Sequence, residues 1–309
     1  MTAFTSSSST PPEPTGPLLV RVRAVLPALA PAEQRVANAV LADPAGVAAM
    51  TISELAEQAS TSETTVIRFC KQVGVPGYPQ LRLQLAAQAA QATVQPEVGG
   101  DIEPDDSLAD VVAKVAFADE QAVRETAQQL NADTLAKVVE AVAAAPRVDI
   151  YGLGASAFVA FDLQQKLHRI RRVAFAWSDV HVQLTSAALL SEGDVAFGIS
   201  HTGTTTEVVE TLEEAAKHGA TTVALTNFPR SPLAKTAELV LTTAARETAY
   251  RSGAMSSRIA QLMVVDCVFI GVAQKVLPDA RKALETTYTA VRGHHLKSDQ
   301  MPFPFQHDE

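Results

Sequence analysis

Hydroxyls at Ser200, Thr202, Thr204 and Thr205 crowd the stretch Ser200-His201-Thr202-Gly203-Thr204-Thr205-Thr206-Glu207, directly after the apolar run Val195-Ala196-Phe197-Gly198-Ile199. A second turn, Gly152-Leu153-Gly154-Ala155-Ser156, follows Val148-Asp149-Ile150-Tyr151. Each run reads as a buried strand that delivers the chain to a helix N-terminus, where free backbone N–H groups and the helix dipole favour an anion. The natural guest is a phosphate. The hydroxyl turn lacks the Gly-Lys-Ser/Thr ending that grips a terminal phosphate, so the pattern favours a small phosphorylated molecule over ATP or GTP.

A second constellation lies nearer the N-terminus. Ser60-Thr61-Ser62 separates a short helical pattern, Ser53 to Ala59 with Ser53 as its cap, from another, Glu63 to Val73, that Gly74 ends. In the second, Val66, Ile67, Phe69, Cys70 and Val73 supply the anchoring positions, while Thr64, Thr65, Arg68 and Lys71 fall near one polar face. Two short helices about four residues apart, the second starting with exposed hydroxyls such as Ser62, meet the needs of a helix-turn-helix. Arg68 could then fork onto a guanine or a phosphate. An ordinary solvated amphipathic helix has the same pattern.

The elements that must hold these residues follow from the rest of the chain. With 309 residues and 47% hydrophobic content there is enough material for two domains and a substantial core. From Leu18 to about Gln91 the apolar spacing is helical, in five pieces: Leu18 to Leu29, one opened by Pro31 and stopped near Asp43-Pro44, the pair just described, and Tyr78 to Gln91. Residues 93–107, with Pro96, Gly99, Gly100 and Pro104 among acids, read as a linker. Two helices follow, Leu108 to Leu130 and Thr134 to Ala145. Strand and helix then alternate: strands at 148–151, 173–176, 194–199, 221–226 and 238–242, helices at 155–169, 180–190, 204–218 and 232–236. A long helix from about Ser256 to Val276 closes the series. Such alternation predicts a parallel sheet covered on both faces, with ligands at the carboxyl ends of its strands. Residues 286–309 show no period and read as a loose tail, as do the Ser-, Thr- and Pro-rich residues 1–17.

Charge limits where nucleic acid can bind. The net charge is −9, but residues 1–92 carry 6 basic and 6 acidic groups, residues 93–145 carry 3 and 11, and residues 146–309 carry 16 and 17. The acid is concentrated in the middle, so any DNA contact has to come from the neutral N-terminal part. No apolar run reaches the roughly 18 residues of a membrane span, and the start has neither a basic region nor an apolar signal core, so a cytoplasmic protein without a membrane partner is expected. Cys70 and Cys267 stand far apart in helical apolar patterns and read as buried free thiols, with no metal site expected.

The turn Ser200-x-Thr202-Gly203-x-Thr205-x-Glu207, the earlier Gly152-x-Gly154-x-Ser156 and the pair Thr226-Asn227 together resemble the sugar isomerase (SIS) domain, whose usual motif has Ser where this chain has Thr202. Leu55-Ala56 through Ser62, Val66, Arg68-Phe69 and Gly74, followed by Tyr78-Pro79-Gln80-Leu81, resemble the helix-turn-helix of RpiR-type transcriptional regulators. Ser257-Arg258-Ile259-Ala260-Gln261-Leu262, with Asp266, is similar to that family's last helix. The likeness covers about 18–92 and 130–280. It implies an α/β fold class: an N-terminal all-helical helix-turn-helix domain at 18–92, then a flavodoxin-like parallel-sheet αβα SIS domain at 108–285 with its core at about 138–278. It also implies a homodimer or homotetramer that binds double-stranded operator DNA and senses a phosphorylated sugar. By position, Gly154, Ser156, Ser200, Thr202, Gly203, Thr205, Glu207, Ser256 and Ser257 become candidate effector residues, and Ser62, Thr64, Thr65, Arg68 and Lys71 candidate DNA residues. No cofactor and no catalytic residue is expected.

Two other readings stay open. A sugar-phosphate isomerase needs a tuned base, and His201 inside the phosphate turn is the histidine so placed. His168 sits at a helix end beside Arg169, Arg171 and Arg172, where solvent or the helix C-terminus explains it. A dinucleotide site is suggested by Gly152-Leu153-Gly154-Ala155-Ser156-Ala157, but the acidic residue that should end the second strand is displaced to Asp179, 25 residues past Gly154.

Overall fold

The structure, a computed structural model, describes residues 16–92, 101–247 and 255–292. The N-terminal part is all helical: α1 (Leu18–Val25), a short 3₁₀ turn (Leu26–Ala28), α2 (Pro31–Ala42), α3 (Pro44–Ala49), α4 (Ile52–Gln58), α5 (Glu63–Gln72) and α6 (Tyr78–Ala92). Leu55, Val66, Phe69, Cys70, Leu81 and Leu85 are fully buried in its apolar cluster. The sequence reading needs two corrections here. Asp43-Pro44 ends α2 but also begins α3, because Asp43 Oδ1 accepts the Gly46 N–H at 2.8 Å and Pro44 takes the first helical position, where no N–H is needed. Helix α4 is capped by Thr51, not Ser53. Thr51 Oγ1 accepts from Glu54 N at 3.3 Å and Glu54 Oε2 accepts from Thr51 N at 2.6 Å, a reciprocal capping box.

The second part begins with α7 (Leu108–Gln129) and α8 (Ala132–Ala144) and continues β1 (Val148–Gly152), α9 (Ala155–Arg169), β2 (Ala174–Trp177), α10 (Val180–Ala187), β3 (Val195–Ile199), α11 (Thr206–Lys217), β4 (Thr221–Thr226), α12 (Pro232–Thr236), β5 (Leu239–Thr242), α13 (Ser256–Lys275) and α14 (Leu277–Arg292). Helix α14 continues past 285, where the sequence reading loses its period. Its last turns carry few apolar residues, so periodicity alone did not reveal them.

All five strands are parallel, in the order β2-β1-β3-β4-β5, the flavodoxin-like arrangement. Alternation along β1 assigns the layers. Val148 and Ile150 face the cluster built with α8, α9 and α13, while Tyr151 faces the one built with α10, α11 and α12. Helix α13 is the one described helix long and apolar enough to cross a membrane. Here it is a core helix, packed on α7, α8 and α9 with Val264, Val265, Val268 and Val272 buried in the apolar cluster of that layer. In the ladders Gly152 lies opposite Ile199, and Ile199 opposite Leu225. The turns after β1, β3 and β4 therefore emerge side by side. The chain leaves β1 towards β2 and leaves β3 towards β4, so the first two turns flank the switch point where open α/β sheets bind ligands.

Candidate functional site

Ser200 closes the turn after β3 from within. Its buried Oγ lies 2.9 Å from Thr205 Oγ1 and accepts the Gly203 N–H at 3.1 Å. Thr204 Oγ1 donates to Thr202 Oγ1 at 2.8 Å, with both residues exposed. Gly203 has φ +63°, and a Cβ there would stand 2.1 Å from Ser231 Oγ and 2.8 Å from Thr226 Oγ1. Only glycine lets the turn lie on its neighbours. Thr205 is the N-cap residue of α11 but makes no side-chain cap bond, so the first N–H groups of α11 are left for another acceptor. Glu207 is half-buried in the first turn of α11.

The turn after β1 is open in another way. Gly154, at φ +55°, caps α9 without any side-chain bond, and a Cβ on it would meet nothing within 4 Å. Backbone conformation requires this glycine, and the space above it is free. Ser156, half-buried, follows in the first turn of α9. The structure thus brings Gly154 and Ser156 to the strand end beside Ser200, Thr202, Gly203, Thr205 and Glu207.

Ser256 and Ser257 are both buried at the start of α13, and neither side chain caps it. Glu247 does so instead, accepting from Ser257 N at 2.9 Å. Ser256 Oγ donates to Asp119 Oδ1 of α7 at 2.8 Å, whereas Ser257 Oγ and His201 Nδ1 are buried atoms without a partner. Burial pushes the His201 pKa down, and nearby Glu247 opposes that shift, so the imidazole is neutral at pH 7. Asp179 accepts from Val182 N at 3.0 Å and caps α10, which gives it a structural task instead of the ribose contact of a dinucleotide site.

In the helical part, Ser62 caps α5, its Oγ accepting from Thr65 N at 3.3 Å. Thr64, Arg68 and Lys71 are exposed. Thr65 is not on that face, because residues 65, 66, 69, 70 and 73 form the buried stripe and the Thr65 hydroxyl turns back 3.1 Å from Ser62 Oγ. Ile67, expected as an anchor, falls opposite the stripe and is 42% exposed. Arg68 keeps 60% of its side chain in solvent while its Nε stands 3.6 Å from Glu33. Arg35 fixes the turn between α4 and α5, donating from Nε to Ala59 O at 2.9 Å and from Nη2 to Ser60 O at 2.8 Å. The Cys70 thiol is buried and its pKa is raised to about 11 by desolvation, so it stays a protonated core residue. Cys267 is only partly buried.

Sequence reasoning missed two polar features. One is Glu247, whose partner α13 begins nine residues later, beyond any local capping pattern. The other is Asp149, fully buried in β1. Its carboxylate takes a two-point bond from Arg147 at 2.7 and 2.9 Å and accepts from Ser186 Oγ at 2.5 Å and Trp177 Nε1 at 3.0 Å. An Asp between Val148 and Ile150 was the available signal, since a buried acid requires partners.

Residues 17–92 match the model of the helix-turn-helix domain of the rpiR family, and residues 142–271 match the SIS domain. An uncharacterized HTH-type transcriptional regulator of Caldanaerobacter subterraneus subsp. tengcongensis is 42% identical over 270 residues, spanning 87% of this chain and 95% of the relative. YbbH of Bacillus subtilis, also an HTH-type transcriptional regulator, is 34% identical over 270 residues with the same coverage. Among solved structures, the Vibrio vulnificus NanR protein complexed with ManNAc-6P is similar at 29% identity and TM-score 0.58, covering 91% of this chain and all of that one.

Proposed function

Because the chain belongs to the RpiR family of helix-turn-helix transcriptional regulators that carry a SIS domain, we propose that a phosphorylated sugar bound at the carboxyl ends of β1 and β3 controls how its N-terminal head binds operator DNA. The carrying observation is a pair of adjacent helix N-termini, on α9 and α11, that no N-cap side chain closes, set among the hydroxyls of Ser200, Thr202 and Thr205. A phosphate supplies the acceptors that the first N–H groups of α11 lack, while on α9 the Ser156 and Ala157 N–H groups already donate to Leu153 O and Gly154 O at 3.1 and 3.2 Å and the helix contributes its dipole. Gly154, Ser156, Gly203 and Glu207 complete the cradle, and Ser257 and Ser256 line its α13 side. The NanR complex with ManNAc-6P supports this class of effector.

On the head, Ser62, Thr64, Arg68 and Lys71 form the reading surface, and exposed Ile67 suits a thymine methyl group. Thr65 contributes by holding the helix start. Two heads in a dimer would meet half-sites about 34–36 Å apart, so a small rotation misaligns one of them. The working limits are 18–92 for the head and 108–285 for the sensor, and the protein acts in the cytoplasm without a metal or cofactor.

The reading is non-enzymatic. The neutral His201 ring is the feature an isomerase would use, and its location in the turn makes the alternative testable. Thermal shift against a panel of hexose, pentose and amino-sugar phosphates identifies the effector, and each hit is then tested for its effect on binding to the promoter beside the protein's own gene. A hit that changes operator affinity is expected. Equal operator affinity with and without a bound hit would refute the coupling, and turnover of a panel sugar that disappears on replacing His201 or Glu207 would make the protein an isomerase.

A further inference from the structure

Among the described residues, one sensor side chain hydrogen-bonds to helix α5. Arg230, in the turn after β4, donates from Nη1 to Gln72 Oε1 at 2.7 Å and from Nη2 to the Gln72 main-chain carbonyl at 3.3 Å. Gln72 is the last residue of α5. Its carbonyl is one of those a helix end leaves without an intrahelical partner, and a guanidinium there also complements the negative end of the dipole. Among the described residues no other hydrogen bond or ion pair joins α5 to the sensor.

The turn that carries Arg230 is bound to the hydroxyl turn at several points. Thr226 Oγ1 and Asn227 N both donate to His201 O, at 3.1 and 3.0 Å. The Phe228 ring meets the His201 ring edge-on, with centroids 5.7 Å apart. Ser231, next to Arg230, leaves no room for a side chain on Gly203. From the cradle to the reading helix the contacts run without a gap: His201 to Thr226, Asn227 and Phe228, then two residues of backbone to Arg230, then Gln72. A planar fork making two bonds fixes direction as well as distance, which a flexible ammonium would not do.

We propose that Arg230 is the positioning residue through which occupancy of the 200–205 turn sets the placement of α5. The proposal rests on the reading of that turn as the effector cradle, and the experiment separates the two.

Hydrogen exchange on the full chain reads the end of α5 through the amides of Val73, Gly74 and Val75, which donate to Phe69 O, Lys71 O and Cys70 O. R230A should exchange several-fold faster at these three amides with the remaining head amides unchanged, and R230K should lie between R230A and the wild type. T226V is close to isosteric and removes one hold on His201 O together with the acceptor of the Phe228 N–H. It should alter exchange at 73–75 when Arg230 is present and add nothing in the R230A background. ManNAc-6P, glucosamine 6-phosphate and fructose 6-phosphate serve as probes of the cradle. Any that protects 203–209 should also change 73–75 in the wild type and leave 73–75 unchanged in R230A. Unchanged exchange at 73–75 in R230A, or a T226V or sugar response there that survives R230A, overturns the proposal. If no sugar protects 203–209 while the R230A and T226V effects appear, the effector reading fails and the positioning role stands.

Discussion

Helices in the two halves of this chain begin differently. In the head, α3, α4 and α5 are each closed by their own N-cap side chain, from Asp43, Thr51 and Ser62. In the sensor, α10 and α12 are closed in the same way by Asp179 and Ser231, yet α9 and α11 are not. The openness is therefore no property of the sheet architecture. The N-caps of α1, α2 and α13 make no side-chain bond either, but among the four helices that connect the strands the openness is confined to the two that follow β1 and β3, which is where the strand order reverses. A cap side chain adds about 1 kcal/mol to a helix, and leaving two adjacent helices without one makes sense where a ligand supplies the acceptors.

The most direct way to break this contrast is to remove the hydroxyls from the open end. Ser200→Ala with Thr205→Val should lower phosphosugar affinity by about 3–6 kcal/mol if each proposed hydroxyl bond to the charged group is lost, and isothermal titration would read it. The same protein should still bind operator DNA; an undiminished sugar response would move the pocket elsewhere. Next in size is Gly203→Ala, where a positive φ and the 2.1 Å approach to Ser231 Oγ combine to cost about 2–5 kcal/mol in urea unfolding. In the head, Arg68→Ala should weaken operator binding by about 1–3 kcal/mol in a polarization titration. Its Nε stands 3.6 Å from the buried Glu33, but the Arg68 side chain itself is 60% exposed, so stability should change by less than about 1 kcal/mol.

Thr51→Ala tests the closed kind of helix start. It should cost about 1 kcal/mol of stability and leave sugar binding unaltered. The smallest effect concerns pH. The folded protein keeps His201 neutral while the unfolded chain takes up a proton near pH 6.5, so the unfolded state binds more protons and stability falls as pH drops below that value. Melting temperatures at pH 7.5 and 5.5 should differ more for the wild type than for His201→Gln; an equal difference would mean that the ring is not held neutral.

Where local chemistry decides, the sequence was legible. All five strands, the order of helices around them and the two open turns follow from apolar runs, glycines and hydroxyls that act within a few residues. One miss was local: Ser53 looked like a cap, but Thr51, two residues earlier, has Glu54 at the capping-box spacing. The other misses share a cause. Thr65 and Ile67 exchanged places because the buried stripe of α5 is chosen by what packs on it, above all α2 and α4. Glu247 and Arg230 find partners 10 and 158 positions away, and no pattern along one segment announces a bond of that span.

Asp149 gives the sheet an uneven stiffness. Its carboxylate ties β1, β2 and α10 into one knot of charge-assisted bonds around Arg147, the stronger kind. At the far side the comparable tie is neutral: Asn227 Oδ1 accepts from Ala245 N at 2.7 Å and Thr243 Oγ1 at 3.2 Å. A guest at the proposed site between β1 and β3 would have charge-assisted bonds on one side of it and neutral ones on the other. The softer side is that of β4, and the turn that leaves its carboxyl end carries Arg230 and, through it, the end of α5.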